Sequence, residues 1–240
     1  MAVGSRNNPF FDLMISLVFI LIGAAALVYT APQMQVQLRK YFTPLPAPRE
    51  FVLAGTFVDV TSADPRATLI VVDTFKRLER LFNAYDPESQ LSRINAAAGD
   101  MPVPVDDEMI AILKLSRQIY DMTGGAFDVT VGKAARTWKE LMRPDKTVDS
   151  PVDFPTEEQI SRLKEKTGMQ HIIIDEENKT VFIRRRGVAI DLGGIAKGYM
   201  VDVAVNELKK AGINSALVNA GGDIYCLGDK QGQPWRVGVR

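Results

Sequence analysis

Residues 189–223 read AIDLGGIAKGYMVDVAVNELKKAGINSALVNAGGD. The stretch opens as a strand, Val188-Ala189-Ile190, and reaches Asp191. A Gly193-Gly194 turn follows, and the pattern then predicts an amphipathic helix from about Ile195 to Ala211, ended by Gly212. A second strand over residues 215–218 leads into the turn Asn219-Ala220-Gly221-Gly222-Asp223. A glycine turn at a helix N-terminus lets backbone N–H groups approach a ligand, and the helix dipole favours an anion there. Lys197 adds a positive charge in the first turn. The same features also fit a plain strand–turn–helix connection in which glycine serves only geometry, and the pattern alone does not choose.

Outward from this stretch, helices and strands alternate irregularly. Residues 51–61 read as a strand. Asp64-Pro65 is a helix start, with Asp as cap and Pro at the first helical position, and the helix runs to about Phe82. Val71, Phe75, Leu78 and Phe82 recur at spacings of three and four, so one face is buried. Residues 83–95 read as a loop dense in turn formers. Its Tyr85 has a phenol able to stack on an aromatic ligand, or simply to pack. A second helix, residues 106–122, has Met109, Ile112, Leu113, Ser116 and Tyr120 along one face and stops at Gly124-Gly125. Ala126-Phe127-Asp128 follows; Asp128 is placed either to accept hydrogen bonds from a ligand or to cap the next turn. Residues 136–155, with three prolines, read as irregular. Thr156 and Gln159 form a capping box for a third helix ending near Gly168. Residues 171–175 and 180–184 read as a hairpin, and 224–227 and 235–239 as later strands. The fold class expected is α+β, a mixed sheet with packed helices.

Composition narrows the function. The chain has 29 basic and 29 acidic residues and no basic stripe of the nucleic-acid-binding kind, so no nucleic-acid partner is expected. One histidine, His171, leaves little material for a His-based zinc site or a His-dependent triad. One cysteine, Cys226, excludes an intrachain disulfide; it is expected to be a small core residue. Arg184-Arg185-Arg186 fits a solvated turn better than a phosphate site. Residues 13–31 carry no charge and are long enough to span a bilayer. The expected layout is a tail (1–9), a transmembrane anchor (10–31), a proline-bearing stalk (32–50) and a domain (51–240), with a cleaved signal peptide as the alternative to the anchor.

Four ordered blocks carry a resemblance. DLGGIAKGYMVD with the later LVNAGGD, Ala54-Gly55-Thr56, the NAYDPESQLSRIN block of residues 83–95, and GGAFDVT of residues 124–130 with Trp138 after it resemble the FAD:protein FMN transferases, the ApbE family. The resemblance covers about residues 52–240. It implies an enzyme that cleaves the FAD diphosphate, moves FMN onto a Thr or Ser hydroxyl of an acceptor protein, and releases AMP with the help of magnesium. It implies FAD contacts from Tyr85, Ala126, Phe127, Asp128, Asp191 and Lys197, and a metal contact from the backbone oxygen of Gly194. It also implies an acceptor flavoprotein, a subunit of a membrane redox complex, and a domain on the extracytoplasmic (periplasmic) side of the membrane. Two departures stand out. Ala54 occupies a position where the family has methionine, and the family's later metal-binding block has no counterpart before Arg240, so the domain is expected to be C-terminally incomplete. Alternatives are an FAD-binding protein or FAD pyrophosphatase without transfer, and an inactive truncated product.

Overall fold

The computed structural model of the chain describes Thr30 and residues 47–142 and 154–238; residues 47–228 form one compact unit. Apart from Thr30, the apolar run read above as an anchor lies outside the described residues. Among the described residues no helix is long and apolar enough to cross a membrane.

The unit opens with a hairpin, β1 (Arg49–Leu53) and β2 (Thr56–Thr61), where the sequence reads as a single strand. Ala54 and Gly55 form its two-residue loop, both with positive φ (50° and 70°), as a tight primed hairpin turn requires. Helix α1 (Arg66–Phe82) follows. The Asp64 carboxylate accepts the Arg66 backbone N–H at 2.9 Å, so the helix starts one residue after the expected proline. Val71, Phe75, Leu78 and Phe82 are all buried, as their spacing predicts; a fully buried side chain of this kind contributes about 1.5–3 kcal/mol.

Helix α2 (Gln90–Ala96), the short β3 (Val103–Pro104), α3 (Asp107–Met122), α4 (Gly132–Leu141) and α5 (Glu157–Lys164) come next. A 3-10 turn (Met169–His171) leads to β4 (Ile172–Asp175) and β5 (Thr180–Ile183). Helix α6 (Ala196–Lys210), β6 (Ala216–Ala220) and β7 (Asp223–Leu227) complete the unit.

The strands make two sheets, β1-β2-β6-β7 and β3-β5-β4. Every pairing within them is antiparallel, so the expected single mixed sheet is corrected to two antiparallel ones. Among the described residues, parallel pairing is confined to one isolated bridge, Val131 to Ala189. Helices α1 and α6 pack on each other, α1 against β1 and β2, and α6 against β6 and β7. The α+β class stands.

Helix α6 ends as its sequence dictates. Gly212 has φ 76°, its N–H donates to Lys209 O at 3.0 Å, and the Ile213 N–H reaches back to Leu208 O at 2.9 Å. That pair of bonds is the Schellman arrangement, which a left-handed glycine allows. Gly221 and Gly222, φ 59° and 102°, turn β6 into β7. A Cβ on Gly221 would lie 2.2 Å from Thr56 Oγ1, so the turn excludes any larger residue.

Several local expectations are corrected. Residues 188–190 form no strand, only the Ala189 bridge. The 83–95 loop contains the start of α2, and α4 occupies the first part of the stretch read as irregular. β1 begins inside the expected stalk, at Arg49. No strand forms over the described residues 235–238. Cys226 is exposed, because Tyr225 and Leu227 take the core-facing register of β7. Arg185 donates to Glu165 O at 2.6 Å and Arg186 pairs with Asp100, which leaves them as surface ties.

Candidate functional site

The cavity that gathers chemistry holds about 630 Å³ and lies between the β1–β2 loop, the end of α1 and the start of α6. That size suits a cofactor-like small molecule. Its polar lining includes Thr56, Glu79, Asn83, Tyr85, Lys139, Asp191 and Lys197; Ala54, Phe82, Leu192 and Met200 supply apolar wall.

Each wall is fixed locally. Leu192 is 1% exposed and its carbonyl accepts the Ile195 and Ala196 N–H groups at 3.0 and 2.7 Å, so the glycine pair is held out of the core at the helix start. The Asp191 carboxylate accepts the Gly193 N–H at 2.7 Å and shapes that loop. Asp191 N–H in turn donates to Val129 O at 2.7 Å. Behind it, Asn95 clamps Ile190: the Asn95 amide donates to Ile190 O at 2.9 Å, and Ile190 N–H donates to Asn95 Oδ1 at 2.7 Å. The clamp needs α2, where Ser89 is the cap; Ser89 Oγ accepts Ser92 N–H at 3.0 Å and donates to Asn83 O at 2.6 Å. Asn83 Oδ1 accepts the Tyr85 N–H at 2.9 Å, which sets the ring of Tyr85 at the cavity edge, 60% exposed.

Charge is arranged around this ring. Lys139 Nζ sits 4.0 Å from the Tyr85 ring centroid, a cation–π contact from α4. Lys197 Nζ lies 3.9 Å from Asp223 Oδ2, both partly solvated, which makes the ion pair weak. Lys197 is therefore available to a stronger anion, and it stands in the first turn of α6, where the helix dipole acts in the same direction.

Of the residues singled out in the sequence, Tyr85, Asp191 and Lys197 line this one cavity. Ala126, Phe127, Asp128 and Gly194 lie outside its lining. Phe127 comes near the glycine loop, since a Cβ added to Gly194 would lie 3.4 Å from its ring, and residues 129–132 run beside 189–191. Asp128 takes the capping role its sequence also allowed. Its Oδ1 accepts the Thr130 N–H at 2.8 Å and the Thr130 hydroxyl at 2.6 Å, and Thr130 Oγ1 accepts the Gly168 N–H at 2.5 Å.

Glu79 and Lys139 also line the cavity but are not among the residues singled out in the sequence. Glu79 sits one turn before Phe82 on α1, a spacing that could have marked it once Phe82 was placed. Lys139 carries no local signal, since its position depends on how α4 docks.

Among the described residues no group of three or more His, Cys, Asp or Glu could hold a metal ion. A lone Gly194 carbonyl does not make a magnesium site, so these residues do not fit a complete metal centre and no step is derived through one.

The ApbE family matches residues 54–240. The chain belongs to the ApbE family. Similar proteins include the FAD:protein FMN transferases of Klebsiella pneumoniae, 33% identical over 68% of this chain and 46% of that one, and of Escherichia coli K12, 31% identical over the same shares. The chain thus spans about half the length of the curated relatives it matches. Similar solved structures are the flavin transferase ApbE of Vibrio cholerae (TM-score 0.71, 26% identity, 82% of this chain and 64% of that one) and the ApbE protein of Thermotoga maritima (TM-score 0.70, 31% identity, 82% and 63%).

Proposed function

We propose that this chain carries the flavin-binding part of an FAD:protein FMN transferase. The observation that supports this best is the convergence of Tyr85, Asp191 and Lys197 on one 630 Å³ cavity at the N-terminus of α6. Tyr85 offers the ring face opposite Lys139 as a stacking surface for the isoalloxazine. Lys197 and the α6 N-terminus offset the diphosphate charge. Asp191 accepts a hydrogen bond from the ligand through the carboxylate oxygen not used by Gly193 N–H. Ala126, Phe127 and Asp128 would contact the ligand from the adjoining loop, as the family resemblance implies.

In the transfer, a Thr or Ser hydroxyl of an acceptor protein attacks the phosphorus on the riboflavin side of FAD. The new P–O bond links FMN to the acceptor, the diphosphate bridge breaks, and AMP leaves with its electron pair while the hydroxyl proton passes to a base. Magnesium dependence, anchoring through residues 10–31, an extracytoplasmic location and an acceptor in a membrane redox complex belong to the same proposal. The family resemblance and the apolar run support them.

The test is in-gel flavin fluorescence of a threonine-bearing acceptor incubated with this protein, FAD and magnesium, with AMP release followed in parallel. A fluorescent acceptor band is expected. AMP release without labelling would mean that water replaces the hydroxyl, which is the pyrophosphatase alternative. Neither product would refute both.

A further inference from the structure

We infer that the face of α4 carrying Lys133, Arg136 and Lys139 docks an acidic, extended segment of the acceptor protein beside the flavin cavity. This rests on the transferase reading. The three cations stand at spacings of three along the helix, and all are exposed. Their span, six residues at about 1.5 Å each, is about 9 Å, the length of roughly three residues of extended chain.

The stripe adjoins the main cavity. Lys139 lines that cavity and covers the Tyr85 ring. Lys133 and Arg136 line a second depression of about 520 Å³, which shares Ala84 and Tyr85 with the first. Ser92, Asn95 and residues 187–189 complete much of its wall, and no Asp or Glu lines it. Among the described residues none of the three cations takes part in an ion pair, and Glu140, four residues beyond Arg136, does not pair with it. Arg185 and Arg186, by contrast, are paired with Glu165 and Asp100.

The layout favours a polypeptide over other anions. A phosphate site needs donors converging on one point. Here the three cations are spread over residues 133–139 of α4, and the nearby Asn95 amide is committed to Ile190. Three cations also make too small a patch to hold a membrane or nucleic acid. Tyr85 borders both depressions, so a carboxylate-bearing segment laid along α4 would bring an acceptor hydroxyl to the mouth of the flavin cavity.

The experiment uses the full chain and a fluorescein-labelled peptide with one threonine flanked on each side by three glutamates, read by anisotropy at low salt. A glutamine-flanked peptide is the control. The acidic peptide is expected to bind, to weaken about tenfold in K133Q/R136Q, and to be lost in R136E and on adding salt. Lys139 is left unchanged because it lines the flavin cavity. Equal binding to wild type and K133Q/R136Q, no binding of the acidic peptide, or preferential binding of pyrophosphate or phosphatidylglycerol vesicles through the same residues would overturn the inference. FAD fluorescence quenching is read on the same samples. FAD binding retained with no peptide effect overturns the docking surface alone, whereas FAD binding absent from wild type overturns the transferase reading beneath it.

Discussion

Replacing Asn95 by alanine probes the support of the site without touching its lining. Asn95 bridges from α2 to Ile190, which is 0% exposed, with hydrogen bonds of 2.9 Å to Ile190 O and 2.7 Å from Ile190 N–H. Alanine leaves both backbone groups without these partners. An orphaned buried polar group costs about 1–3 kcal/mol, so the pair sets a range of about 2–6 kcal/mol. Asn95 borders the second depression, so water entering there offsets part of the loss and places the expected cost at about 2–4 kcal/mol. The next residue is Asp191, so the glycine loop loses its backing as well. Asn95→Asp keeps the acceptor for Ile190 N–H but turns a carboxylate oxygen toward Ile190 O, and is expected to be no better than alanine. Urea unfolding followed by circular dichroism gives the stability change, and FAD quenching gives the effect on the loop. An Asn95→Ala protein within about 0.5 kcal/mol of wild type, or an Asn95→Asp protein at wild-type stability, would refute the reasoning.

Further outcomes follow from the same structure. Gly132→Ala places a Cβ 2.7 Å from Ala189 O at the point where α4 docks, and thermal melts are expected to show a loss of about 1–3 kcal/mol; an unchanged melting temperature contradicts that packing. Tyr199 has its pKa raised above the ordinary 10.0, first by burial and then by the Glu108 charge. Below pH 10 both folded and unfolded states hold the phenol proton; above it the unfolded state releases its proton first, so stability falls as pH rises. Tyr199→Phe should show a shallower alkaline decline in urea midpoint than wild type, and an identical decline would contradict the assignment.

What the sequence made legible was local. The α1 face, the Thr156–Gln159 capping box with both bonds formed, and the glycine stop after α6 all follow from nearby residues. The three residues that share the cavity were also legible, through motifs on α6 and the Tyr85 loop. What was missed depends on distant packing. Helix α4 has no side-chain cap, and Gly132 lies against the 189–190 backbone, so a tertiary contact sets its start. In α2 the turn formers Asp86, Pro87 and Glu88 masked Ser89 as a cap. Ile224-Tyr225-Cys226-Leu227 is apolar at every position, so alternation could not tell which face Cys226 would take. Lys139 meets Tyr85 only because α4 docks as it does.

The most direct test of the central claim is an FAD titration read by flavin fluorescence on wild type, Tyr85→Ala, Asp191→Ala and Lys197→Ala. Saturable binding to wild type and a loss of about tenfold or more in each variant are expected, the scale of one hydrogen bond to a charged group or one stacked ring. No binding to wild type, or Asp191→Ala and Lys197→Ala affinities equal to it, would contradict the claim that this cavity holds the flavin dinucleotide.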